Sequence, residues 1–142
     1  MALTHVLALE LVQRCISEAS RRDVAVAAVV VDTGGRMVAQ VRMDGVGYVA
    51  TRIAAKKATG SATFGAPTAA LSDFMASDSK LASFLLDEEF SLVPGGVPVI
   101  VEGVVVGGLG LSGGHYSQDE AIVAAALGRA ESSPDLPPSE TT

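Results

Sequence analysis

A glycine-rich apolar segment near the end of the chain constrains the fold more than any other stretch. After Pro94-Gly95-Gly96 an apolar strand is predicted over 97–101, followed by a turn at Glu102-Gly103 and a second strand over 104–111. This is the pattern of a β-hairpin with a two-residue turn. The second strand contains Gly107, Gly108 and Gly110. Glycines weaken a strand unless another backbone packs closely against them, so the segment predicts a strand directly under a neighbouring element.

The first third of the chain predicts a helix followed by another hairpin. Apolar residues recur every four positions from Leu3 to Ala19, which is the spacing of one helix face, and Thr4 is the expected N-cap. A β-branched run over 24–31, a turn over 32–35 and a weakly alternating stretch over 36–42 predict two antiparallel strands.

Further helices are predicted around the glycine-rich hairpin. One covers 49–62, where small residues suit close approach to another backbone, and a short one covers 68–76; residues 81–90 are helical or irregular. The last helix is predicted over 117–127, with a capping box formed by Ser117 and Glu120. Helix, hairpin, helices, hairpin, helix is an α+β order, with four or five antiparallel strands covered by helices.

Composition excludes several classes of protein. The net charge of −6 argues against a nucleic-acid binder, which needs a clustered basic face. No stretch reaches the roughly 18 uninterrupted apolar residues of a membrane span, and the start lacks the features of a signal peptide. We therefore expect a cytoplasmic protein without nucleic-acid or membrane partners. The single cysteine, Cys15, excludes a disulfide framework and is expected in the core.

The length predicts one compact domain followed by a tail. A chain of 142 residues can bury one hydrophobic core, and we place that domain at residues 1–130. Residues 131–142 are rich in serine, proline and threonine and have little apolar mass to pack. They are expected to form a flexible tail.

The glycine-rich hairpin leads into a turn where an anion could bind. Ser112-Gly113-Gly114 precedes the last helix, and the free N–H groups and dipole of a helix N-terminus favour a carboxylate. Walker and Rossmann spacings are absent from the sequence, so a nucleotide is not expected. Turn formation alone is the other explanation for these glycines.

Two side chains could add chemistry beside this turn. An imidazole can exchange protons and bind metals, so His115 could act as a general acid/base or as the axial ligand that a haem iron needs; a surface histidine without function is the alternative. No zinc-binding spacing is present. Lys57 shares the apolar side of its predicted helix with Ile53 and Ala54. A lysine there needs a partner or a ligand anion, unless its head group extends to solvent.

A set of short motifs, taken in order, resembles one known family. The motifs are Val-Val-Asp-Thr-Gly-Gly at 30–35, Arg-Met-Asp-Gly at 42–45, Lys-Ala at 57–58 with Phe-Gly-Ala-Pro-Thr at 64–68, Pro-Gly-Gly-Val-Pro at 94–98, Gly-Leu-Gly-Leu-Ser-Gly-Gly at 108–114 and Gln-Asp-Glu at 118–120. Over residues 3–130 the chain resembles the GlcG/HbpS-like family, often labelled a haem-degrading domain. The same domain is found at the C-terminus of some cobalamin adenosyltransferases.

The resemblance implies a fold and a range of functions. The fold is a profilin-like α/β/α sandwich around an antiparallel sheet, assembled as a homo-oligomer from dimer to octamer. Some members bind haem or corrinoids, and others are encoded with catabolic enzymes. Where many members have Ser-Gly-Gly-Thr-Pro, this chain has Ser-Gly-Gly-His-Tyr at 112–116, which adds an imidazole.

Three functional hypotheses follow. The first is an oligomeric protein that binds haem, another tetrapyrrole or a small carboxylated ligand between the 94–97 loop, the 112–116 turn and Lys57. Its expected ligand-binding residues are Arg42, Lys57, Gly95, Gly96, Ser112, Gly113, Gly114 and Tyr116, with His115 as metal ligand only if haem binds. The alternative is a cofactor-independent catabolic enzyme, an isomerase or hydrolase of a small carboxylated metabolite, with His115 as general acid/base. The third is a purely structural assembly partner.

Overall fold

The computed structural model describes residues 2–85 and 87–128, and there it confirms the predicted order of elements. The helices are α1 (His5–Arg21), α2 (Val49–Phe64), α3 (Thr68–Ala76) and α4 (Tyr116–Ala126); the strands are β1 (Ala27–Asp32), β2 (Met37–Arg42), β3 (Gly96–Val101) and β4 (Val104–Ser112). The stretch predicted as helical or irregular contains a short 3-10 helix, Ala82–Leu85. The expected tail, 131–142, lies outside the described residues.

The strands form one antiparallel sheet in the order β2-β1-β4-β3. Side chains of α1 and α4, such as Leu11 and Ile122, share a core with Leu109 on one face of the sheet. On the other face, α2 packs through its alanines against the valines of β1. Helices therefore cover both faces, which confirms the expected α+β sandwich. Within the described parts of the chain, no helix is long and apolar enough to cross a bilayer.

The glycines of β4 allow α2 to lie directly on the sheet. A Cβ on Gly110 would lie 2.6 Å from the backbone nitrogen of Ala58, and a Cβ on Gly108 would lie 2.9 Å from its carbonyl carbon. Both separations are below what side-chain carbons tolerate, so only glycine fits under α2 at these positions. The predicted close approach is confirmed, and the element that makes it is the small-residue helix α2.

The helix ends confirm one predicted cap and correct another. Thr4 caps α1, its hydroxyl accepting a hydrogen bond from Leu7 N–H over 3.1 Å. The predicted capping box of Ser117 and Glu120 is wrong, because the N-cap is two residues earlier, at His115, and α4 begins at Tyr116. The Nδ1 of His115 accepts from Ser117 N–H over 3.2 Å, and the Gln118 side chain accepts from His115 N–H over 3.0 Å. An imidazole nitrogen thus takes the place of the usual capping oxygen.

Cys15 on α1 is fully buried in the core, as predicted, and burial raises the pKa of its thiol to about 12. Because the thiolate is the reactive form, we expect iodoacetamide at pH 8 to alkylate the native protein at least about 100-fold more slowly than the urea-unfolded chain. Mass spectrometry of timed samples measures both rates. Equal rates would contradict the packing of α1 against the sheet.

Candidate functional site

A pocket of about 300 Å³ lies between α2, the 91–93 segment and the turn before α4. Its lining residues combine two lysines, one acid, two serines and apolar side chains: Ile53, Lys56, Lys57, Ser91, Val93, Ser112, Gly114, Tyr116 and Asp119. Of the residues predicted from the sequence, the pocket brings together Lys57, Ser112, Gly114 and Tyr116. Its size is at the lower end of the range for small-molecule sites.

Lys57 and Asp119 form a buried ion pair in the wall of this pocket. Their side chains are only 3% and 1% exposed. The Nζ of Lys57 donates to Asp119 Oδ2 over 3.2 Å and to the Leu111 carbonyl oxygen over 2.8 Å. Gly114 N–H donates to the other carboxylate oxygen of Asp119 over 3.3 Å. The pair therefore connects α2, the end of β4 and the first turn of α4.

Burial has the largest effect on the titration of both members of this pair. Desolvation lowers the pKa of the Lys57 amine and raises the pKa of the Asp119 carboxyl, while attraction between the two charges opposes both changes. A proton can therefore pass between these groups at a lower cost than between an exposed lysine and aspartate. Buried titratable groups with shifted pKa values in a concave site are typical of functional sites.

Gly95 and Gly96 lie against Lys57 without lining the pocket. Gly95 has a φ of +129°, and a Cβ there would lie 2.9 Å from Lys57 Nζ. A Cβ on Gly96 would lie 2.9 Å from the carbonyl carbon of Lys57. Gly96 N–H also donates to the buried Thr68 hydroxyl over 2.9 Å. The two glycines thus let the start of β3 close over the lysine.

Three polar side chains of the pocket keep hydrogen-bonding capacity that the described residues do not use. Ser91 and Ser112 are 1% and 8% exposed. The Ser91 hydroxyl accepts from Val93 N–H over 3.2 Å, but within residues 2–85 and 87–128 neither serine hydroxyl has an acceptor for its own proton. Lys56 Nζ donates to the Asp87 carbonyl oxygen over 3.0 Å, which uses one of its three N–H groups.

His115 and Tyr116 lie at the rim of the pocket. Both are exposed, and their rings are 4.1 Å apart between centroids. Tyr116 lines the pocket, whereas His115 does not. Because Nδ1 of His115 caps α4 and is 2.8 Å from the Ser117 hydroxyl, its Nε2 is the nitrogen left for a ligand or a proton.

Arg42 and Gly113 lie apart from the pocket lining. Arg42 is exposed at the end of β2 and donates to the Val46 carbonyl oxygen. Ala27 is the register partner of both Arg42 and Ser112, so one strand separates the arginine from the pocket serine. Gly113 has a φ of +128°, and a Cβ there would lie 2.9 Å from the Ala25 carbonyl oxygen.

Sequence reasoning missed Asp119 as the partner of Lys57. The helix dipole accounts for an acid in the first turn of α4, but the sequence carried a stronger signal. Asp119 is three, four and seven residues before Ile122, Val123 and Ala126, which are all buried, so it lies on the apolar face of α4. No comparable signal in the sequence pointed to Ser91, Val93 or Lys56 as pocket residues. The folded loop before β3 brings Ser91 and Val93 to the pocket, and a periodic pattern does not predict the path of such a loop.

Comparison with protein families identifies the group to which the chain belongs. The family described as haem degrading protein HbpS-like matches residues 3–128. The chain belongs to the HbpS-like family. The expected family resemblance is therefore confirmed, over almost all of the residues that the structure describes.

Individual relatives agree with this HbpS-like assignment. A 15.0 kDa protein from the dhaT-dhaS intergenic region of Citrobacter freundii is 30% identical over 127 residues, covering 88% of this chain and 89% of the relative. The ORFY protein of Klebsiella pneumoniae is similar in structure, with a TM-score of 0.80, 28% identity and 88% coverage of each chain. A PduOC:haem complex has a TM-score of 0.79 and 28% identity, and covers 89% of this chain and 93% of its own.

Proposed function

We propose that this protein binds a small molecule through a carboxylate group held in the pocket beside Lys57 and Asp119. The observation that carries the proposal is the pair of buried hydroxyls, Ser91 and Ser112, which line the pocket and whose protons find no acceptor among the described residues. Buried donors are normally paired, so an acceptor supplied by a ligand would complete them. Lys56 adds a cationic group to the same pocket, and an anionic acceptor matches that charge.

Haem is the first candidate among such ligands, since relatives of the chain include a haem complex and haem carries propionates. The pocket of about 300 Å³ suits a propionate arm and is too small for the whole porphyrin. His115, at the rim, would be the residue to hold the iron, through Nε2. Bound haem would supply a redox-active iron, while the pocket residues would hold its carboxylates.

We expect Ser112→Ala to weaken binding of pyruvate and propionate roughly 10-fold or more, because it removes a hydrogen bond to a charged group worth about 1.5–3 kcal/mol. Isothermal titration calorimetry at fixed pH measures the affinity. Ser20→Ala is the matched control, since Ser20 is exposed on α1, on the opposite face of the sheet. Equal affinities in all three proteins, or no binding by the wild type, would contradict the proposal.

A test of the role of His115 requires a substitution that preserves the N-cap of α4. His115→Asn removes the imidazole but keeps a good N-cap acceptor, whereas alanine would also destabilise α4. If haem is ligated by His115, titration of haemin into the wild type gives a shifted Soret band that His115→Asn loses. Binding of pyruvate would be unaffected by this substitution.

A catabolic isomerase or hydrolase with His115 as general acid/base is the second candidate. The free Nε2 at the pocket rim, next to Tyr116, is the observation that favours it. Turnover of a small carboxylated metabolite that needs no added metal and is lost in His115→Asn would support this function. Turnover unchanged in that variant would remove His115 from the mechanism.

Assembly into a homo-oligomer is part of the same proposal. At the N-terminal end of α2, the N-cap residue Tyr48 and the helical residues Val49 and Ile53 expose 63%, 52% and 37% of their surface, beside the pocket that Ile53 lines. An apolar surface of this kind favours contact with a second copy. Light scattering after gel filtration would give the mass, and a monomer at micromolar concentration would contradict assembly.

A further inference from the structure

We infer that Lys57 forms an imine with a short 2-oxo acid bound in the pocket, and that Asp119 moves the protons of this reaction. The inference rests on the proposed function and names the class of its ligand. A 2-oxo acid has a carboxylate for the serines and Lys56, and a carbonyl carbon next to it. The residues that would meet these two groups all line the same pocket.

The geometry places an amine, a proton acceptor and carboxylate donors in one site. Lys57 Nζ uses two of its three hydrogen-bonding positions, on Asp119 and on the Leu111 carbonyl oxygen, and Lys57 lines the pocket. Asp119 Oδ2 is 3.2 Å from that nitrogen, within reach of direct proton transfer. Ile53 and Val93 add apolar surface to the same lining.

A structural role alone explains this pair poorly. Buried ion pairs are on average no more stabilising than well-packed apolar residues, because both charges lose their hydration. Desolvation also lowers the pKa of Lys57, which is one of the ways in which enzymes make a lysine nucleophilic. Lys56, one residue away, is only half-buried and donates to a loop carbonyl, so it lacks this environment.

The reaction balances without an oxidant or a cofactor. Asp119 takes one proton from the Lys57 ammonium group, and the free amine attacks the carbonyl carbon of the 2-oxo acid. The new C–N bond forms as the C=O π electrons move to oxygen. The nitrogen, which is now positively charged, gives up one proton to that oxygen, and this yields a neutral carbinolamine. Asp119 then returns its proton to the departing hydroxyl, and water leaves as the imine forms. Hydrolysis reverses these steps.

Reductive trapping on the wild-type protein tests the inference. The protein is incubated with pyruvate and sodium cyanoborohydride, which reduces the imine to a stable secondary amine, and the modified residue is located by tandem mass spectrometry. Lysine occurs in this chain at positions 56, 57 and 80. We expect modification of Lys57 at least 10-fold above that of Lys56 and Lys80. Lys80→Arg, at an exposed lysine outside the pocket lining, should retain the modification, and Lys57→Arg should lose it.

Two outcomes would overturn the inference. One is an absence of modification at saturating pyruvate, and the other is modification confined to Lys56, Lys80 or the N-terminal amine. Propionate separates this failure from failure of the proposed function, because it has a carboxylate but no carbonyl. If propionate binds and pyruvate is not trapped on Lys57, the pocket binds carboxylates without imine chemistry. If neither acid binds, the proposed function itself is wrong.

Discussion

Gly110→Ala is expected to destabilise the domain by about 3–5 kcal/mol, the range of severe overpacking mutations. The added methyl carbon would lie 2.6 Å from the Ala58 nitrogen and closer still to the Ala54 carbonyl oxygen. Both contacts are with backbone in the middle of α2, so no side-chain rotation can relieve them. Relief requires α2 to move off the sheet, and this movement would open the core that its alanines form with β1.

Gly47→Ala is the matched control for this prediction. The same methyl group at Gly47 would have no atom within 4 Å, and the substitution should change stability by less than about 1 kcal/mol. Urea unfolding followed by circular dichroism gives both values. If Gly110→Ala unfolds at the same urea concentration as the control, then α2 does not lie on β4 as closely as the structure shows.

Much of the fold could be predicted because its main constraints are visible within short segments of the sequence, or in two segments that fit each other. Glycines in one strand and small residues in one helix each require a close neighbour, and the two segments satisfy each other. The strand order β2-β1-β4-β3 could not be predicted from the sequence. Each hairpin has the same local sequence pattern whichever of its two strands pairs with the other hairpin. The contact between β1 and β4 depends on the packing of the whole sheet.

The site could be predicted only in part, for a different physical reason. The sequence indicated that Lys57 needs a partner, but that partner is 62 residues away and on a helix whose dipole offered a local explanation. Ser91 was missed because an irregular loop brings it to the pocket, where its N–H bonds to the Lys56 carbonyl oxygen. Periodicity carries no information about such contacts between loops and helices.

The N-cap of α4 shows how a local rule can fail by two residues. Ser117 and Glu120 have the spacing of a capping box, and the serine is a better cap than histidine on average. His115 takes the position because the chain leaves β4 through Gly113 and Gly114, and this turn starts the helix at Tyr116. Its imidazole is therefore held at Nδ1, which restricts any chemistry of His115 to Nε2.

Removing either member of the Lys57–Asp119 pair is expected to cost about 3–5 kcal/mol, because each single substitution leaves one buried charge without its partner. Lys57→Met leaves the Asp119 carboxylate without its partner, and Asp119→Asn leaves the Lys57 ammonium group without its partner. The double variant removes both charges and should recover most of the loss, so that it unfolds within about 2 kcal/mol of the wild type.

The exposed pair of Glu10 and Arg14 is the control for this cycle. Their side chains are 51% and 43% exposed, so Glu10→Gln should cost less than about 1 kcal/mol. Urea unfolding of all variants at one pH gives the coupling free energy between Lys57 and Asp119.

Single variants of the pair that are as stable as Glu10→Gln would mean that water reaches the two charges, so that losing one partner costs little. A double variant no more stable than the worse single one would mean that the two charges do not compensate each other. Recovery of stability in the double variant, together with loss of pyruvate trapping on Lys57 in Asp119→Asn, would assign the pair to chemistry instead of stability. The fold would then tolerate its absence while the reaction would not.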